Sequence, residues 1–155
     1  MNEELLTRTD RMRYTKNTAS SRLALLAIVF DILFFISIYK SDVGTYYYTI
    51  LIGASILYNL VFLLITFLCS EGVKSYKTGY SWVMICLGII QIIRIFILPA
   101  DAHRTVVSGA AVMGDGQFIR VVIYLAASAV CLFAGAIVNI KKSRALAKYT
   151  ASLQA

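Results

Sequence analysis

The chain contains one proline and one histidine among 155 residues, and only 15% of its residues are charged. Each shortage excludes something. His103 has no second histidine to complete a metal set and no visible companion for acid–base chemistry. The three cysteines, Cys69, Cys86 and Cys131, lack CxxC spacing and fall inside or at the end of apolar runs, where a thiol behaves as a small apolar group. Gly114-Asp115-Gly116 lacks the glycine–lysine–serine/threonine ending of a phosphate loop and reads as a turn. No catalytic residue, metal site, cofactor or disulfide framework is expected, so the chain reads as non-enzymatic.

What is present is apolar length. Hydrophobic residues make up 59% of the chain, against about 45–50% in an ordinary soluble domain. They are gathered into four blocks. A helix needs about 20 mainly apolar residues to cross the hydrocarbon core. The blocks at 22–39, 46–69, 80–98 and 118–140 meet that length. The first has Ser20 and Ser21 before it as N-cap candidates, and the third stops at Pro99, which cannot continue a helical ladder. The first block is too long for a cleaved signal peptide, and no small-residue cleavage site follows it.

The expected fold is all-α: an antiparallel bundle of four transmembrane helices spanning 22–140. An N-terminal tail, 1–21, and a basic C-terminal tail, 141–155, flank it. The N-terminal tail reads equally as a short interfacial helix or as disorder. Lys40–Thr45 and Ser70–Gly79 are short enough to make the first three helices sequential neighbours. The longer connection 99–117 contains Ser108-Gly109 between two β-prone pairs, a hairpin signal.

The net charge of +7 does not point to nucleic acid, because the basic residues flank the apolar blocks rather than share one polar face. Eleven lysines and arginines fall on the side of both termini and three on the other, with Arg94 left inside a span. The positive-inside rule then places both termini in the cytoplasm and the chain in the cell membrane, with lipid as its first partner. Tyr39 and Tyr46–Tyr48 mark the outer edge, and Tyr80 with Trp82 the inner one.

Charges at membrane depth cost about 2.5–3.5 kcal/mol on insertion scales, so each needs a reason. Asp31 lies near the middle of the first span. Arg94 sits five or six residues past the midpoint of the third, roughly 8 Å outward at the helical rise. Gln91 is one turn from Arg94 on the same face, and Asn59 is near the middle of the second span. These four residues are expected to form an intramembrane polar cluster. Four readings stand: an interhelical ion pair, an arginine that snorkels to the headgroups, a substrate or proton path, and an intramembrane contact for a partner subunit. The fourth span carries Ala127, Cys131 and Gly135 at i, i+4 and i+8, a small-residue stripe for helix packing or docking. His103 is expected to be a solvated loop residue.

The stretches SDVGTYYYTILIGASILYNL, EGVKSYKTGYSWV, QIIRIFILP and VMGDGQFIRVVIYLAASAV resemble a family of small four-span proteins from Gram-positive gut bacteria, some of which accompany ABC-type sugar importers. The resemblance covers nearly the whole chain and carries no site residue with it. It implies an accessory subunit of a larger membrane complex such as a transporter. The alternative is a small oligomeric transporter or channel, with a polar path around Asp31 and Arg94.

Overall fold

Helix α1, Glu3–Met12, opens the computed structural model, which describes residues 3–39, 49–107 and 109–154. The chain continues through α2, Thr18–Tyr39, α3, Thr49–Lys74, and α4, Thr78–Ile97. A short α5, Pro99–Arg104, leads to a two-residue strand pair, β1, Val106–Val107, and β2, Ala110–Ala111. The chain ends in α6, Asp115–Gln154. Four of these helical stretches are long and apolar enough to cross a membrane, so the protein is a multi-pass integral membrane protein. The first connection, with Lys40–Thr45 and Tyr46–Tyr48, lies outside the described residues, as does Ser108.

The spans form an antiparallel four-helix bundle. Helix α6 packs extensively on both α2 and α4, while α3 lies against α2 and, less, against α4. Helix α3 is therefore the most lipid-exposed of the four, with Leu57, Leu60 and Leu64 about 60% exposed along one stripe. An outward apolar surface of this kind is what a bilayer solvates. Two apolar clusters fill the interior. One includes Phe62, Met84 and Leu132 towards the terminal end of the bundle; the other includes Phe34, Met113 and Leu125 towards the opposite end.

Several boundaries differ from the hydropathy reading, each for a local reason. Helix α2 starts at Thr18, so Ser20 and Ser21 are not caps but buried members of its first turn. Asn17 precedes the helix, and its carbonyl accepts from the Ser21 N–H. Helix α4 ends at Ile97, and Pro99 opens α5, where its missing N–H costs nothing. The hairpin in the 99–117 connection forms, with Val106 opposite Ala111 and Val107 opposite Ala110. Gly109 supplies the positive φ of 85° that its turn requires.

His103 is not a solvated loop residue. It lies in α5, half-buried, with its ring stacked on Phe118 at 4.4 Å between centroids and Nδ1 3.2 Å from the Met113 carbonyl. It pins the long connection to the start of α6.

Helix α6 does not stop at Ile140. Its 40 residues extend about 60 Å at the helical rise, twice the hydrocarbon thickness of about 30 Å. The basic segment from Lys141 is thus a helical extension, which hydropathy cannot detect because the segment is polar. Helix α1 packs on this extension, where the Tyr149 hydroxyl donates to Asp10 at 3.2 Å. Both termini consequently lie at the same end of the bundle.

The small-residue stripe faces inward. Cys131 and Gly135 are buried, and a Cβ placed on Gly135 would come within 2.8 Å of Met84 Cε and 3.3 Å of both Leu23 Cβ and the Ser20 carbonyl. Ala127 is half-buried beside them. The space is filled by this chain's own α2 and α4, which removes Cys131 and Gly135 from any docking edge. Gly88 takes the Phe133 ring in the same way from the α4 side. Gly135→Val should therefore lower stability by about 1–3 kcal/mol through overpacking. Val130→Ala, on a position 64% exposed, should change it by about 0.5 kcal/mol or less. Thermal unfolding in detergent micelles reads both; equal losses would contradict this packing.

Candidate functional site

The four polar residues expected at membrane depth meet in one cluster. Asp31, Asn59, Gln91 and Arg94 are all buried, at 1%, 4%, 0% and 9% exposure. They come from three helices. Asp31 lies on the inward face of α2, Asn59 on α3, and Gln91 and Arg94 one turn apart on α4.

Arg94 is the centre of the arrangement. Its Nη1 donates to Asp31 Oδ1 and Gln91 Oε1, each at 2.8 Å, and its Nη2 donates to Asn59 Oδ1 at 2.7 Å. The guanidinium plane sits over the Phe34 and Tyr58 rings, 4.6 and 4.5 Å from their centroids. A flat cation between two aromatic rings gains cation–π attraction that strengthens as water is removed. The arginine therefore points inward to Asp31 and does not snorkel to the headgroups.

Gln91 extends the cluster to the remaining helix. Its Nε2 donates to Asp31 Oδ1 at 2.8 Å and to Ser128 Oγ of α6 at 3.2 Å. Ser128 Oγ in turn donates to the Ala27 carbonyl of α2 at 3.0 Å. Asn59 Nδ2 donates to the Ser55 carbonyl one turn earlier in α3, at 2.9 Å. All four spans are thus joined at one depth by side-chain hydrogen bonds.

Hydrogen bonding is incomplete at three buried atoms. Among the described residues, Asp31 Oδ2, Tyr58 Oη and Thr66 Oγ1 find no hydrogen-bond partner. Asp31 and Asn59 also line a cleft of about 90 Å³ between α2 and α3, whose other walls are Ile32, Phe35, Ile56, Leu60 and Leu63.

A second polar layer at the terminal end has no counterpart in the hydropathy reading. Asn139 of α6 donates through Nδ2 to Ser81 Oγ at 2.7 Å and to the Lys77 carbonyl at 3.1 Å, and it accepts from Asn17 Nδ2 at 2.9 Å. Asn17 Oδ1 accepts from Lys142 Nζ at 3.1 Å. Ser21 and Ser70 hydroxyls pair at 3.1 Å between α2 and α3. Asn17, Ser20, Asn139 and Ser81 are each fully buried. The only signal in the sequence is an asparagine close to the end of an apolar run, which is too common to stand out.

Among the described residues no group of three or more histidine, cysteine, aspartate or glutamate side chains converges to hold a metal ion.

Replacing Arg94 tests the geometry against the charge alone. Arg94→Lys keeps the cation but loses the planar fork that reaches Asp31, Gln91 and Asn59 together. It should destabilise the bundle by about 1.5–3 kcal/mol, the contribution of hydrogen bonds to a charged group. Arg94→Gln strands the Asp31 carboxylate and should cost about 3–5 kcal/mol. Reversible unfolding in mixed micelles measures both, and a lysine variant as stable as the native chain would overturn the forked arrangement.

No protein family, curated protein or solved structure matches the chain.

Proposed function

We propose that this integral membrane protein is a non-enzymatic accessory subunit that works by packing against a larger membrane complex, with an ABC-type transporter as the partner class. One observation carries the reading. The charged groups at membrane depth are paired with one another, with Arg94 held by three acceptors between two rings. An interior tied in this way supports a role in holding helices together.

The surfaces left for a partner are the lipid-facing stripe of α3 and the helical extension of α6 with α1 on it. The resemblance to small four-span proteins, some of which accompany sugar importers, points the same way. The bias of lysine and arginine towards the terminal end supports a cell-membrane orientation with both termini cytoplasmic.

A second reading, a small oligomeric transporter or channel, is favoured by the cleft that reaches Asp31 from the bilayer side. In that reading Asp31 and Arg94 belong to a path and must separate during each cycle.

Purification from native membranes in mild detergent separates the two. The accessory reading predicts a transporter recovered with the tagged chain in fixed stoichiometry. Recovery should fall several-fold in the double variant Leu57→Ala, Leu64→Ala, which alters the α3 stripe and leaves α1 and the α6 extension intact. A homo-oligomer whose reconstituted flux disappears in Asp31→Asn would replace it with the second reading.

A further inference from the structure

The cleft between α2 and α3 carries an inference independent of any partner subunit. Its walls are aliphatic and aromatic, and its floor holds two polar side chains, Asp31 and Asn59. Asn59 uses its oxygen and one of its two amide N–H groups, since Oδ1 accepts from Arg94 and Nδ2 donates to the Ser55 carbonyl. Asp31 is half engaged. Oδ1 accepts from Arg94 and Gln91, while Oδ2 is buried with no partner. The unused acceptor that the cleft offers a ligand is therefore Asp31 Oδ2.

Position limits what can reach it. Ile32, Ile56 and Leu60 at the rim are exposed on the face that lipid covers, so an occupant arrives through the bilayer. Asp31 is 13 residues from the start of α2 and eight from its end, about 20 Å and about 12 Å at the helical rise. That is the hydrocarbon zone, below the reach of a phospholipid headgroup.

Charge limits it further. Asp31 and Arg94 together are neutral, so a cationic head would leave one uncompensated charge at membrane depth. A neutral O–H donor satisfies Oδ2 and leaves the balance unchanged.

We propose that the α2–α3 cleft is a binding site for a membrane-dissolved lipophile that carries a neutral hydroxyl, with the hydroxyl donating to Asp31 Oδ2 and the apolar body lying against Phe35, Ile56 and Leu60.

The test uses the full chain in proteoliposomes and two matched photoreactive probes, a long-chain primary alcohol bearing a diazirine and its methyl ether. The ether keeps the apolar body and the oxygen but has no donor. The alcohol should label segments 31–35 and 56–63 about tenfold more than the ether, the ratio that one hydrogen bond to a charged acceptor gives. Leu60→Trp should abolish that preference by filling the cleft. Leu60 is 60% exposed, so this variant keeps the fold even if Asp31→Asn does not. Where Asp31→Asn folds, the amide N–H takes the place of the unused carboxylate oxygen, and since alcohol and ether both accept from it, the preference for the alcohol should disappear. Equal labelling by alcohol and ether, or labelling unchanged in Leu60→Trp, would overturn the proposal. So would a photoreactive residue at position 32, on the α2 rim of the cleft and off the α3 stripe, that crosslinks in native membranes to a protein rather than to a lipid-sized molecule, since a partner helix would then occupy the cleft.

Discussion

The structure depends on a buried ion pair, Asp31 to Arg94, held where water cannot screen it. Each charge alone is costly at this depth, and the pair is tolerable because its geometry is good and its remaining polar atoms are largely bonded. Arg94 meets Asp31, Gln91 and Asn59 with one planar group, and Gln91 carries the connection on to Ser128. The consequence is positional. Every span contributes to one polar layer, so the rotation of each helix about its axis is fixed by what its polar side chain must meet.

This matters more in lipid than in water. Acyl chains are as apolar as leucine, so burying leucine between helices gains little, and association rests on close packing and interhelical hydrogen bonds. The bundle uses both. Polar layers lie at mid-depth and at the terminal end, about 15 Å apart if measured from Ser21 to Asp31 along α2. Between them, Gly135 admits Met84 and Gly88 admits Phe133. Small residues set how near the helices come, and polar residues set which faces meet.

How much of this was legible in the sequence follows from what each feature costs. The four spans were legible because hydrocarbon thickness demands an apolar block of a certain length. Asp31 and Arg94 stood out because a charge at depth must have a cause, and Gln91 followed from helical spacing to Arg94. Ser128, Asn139 and Asn17 did not stand out, since a serine in a span or an asparagine at its edge costs little and signals nothing until the helix rotation is known. The α6 extension was invisible for the opposite reason: beyond the membrane its helix is polar, and a hydropathy reading ends where the apolar residues do. The stripe of Ala127, Cys131 and Gly135 was visible as a pattern, but its direction was not, and it turned inward.

Asp31 and Arg94 are coupled across the bundle and thereby hold it together. A double-mutant cycle tests this most directly, with Asp31→Leu, Arg94→Met and the double variant compared by reversible unfolding in micelles. Strong coupling is the expected result. Each single change leaves one buried charge without its partner and is costly. The double change removes both charges and should recover several kcal/mol of the summed losses, of the order seen for buried pairs at about 3–5 kcal/mol. Additive losses, with no recovery in the double variant, would contradict the coupling and return the two residues to separate roles.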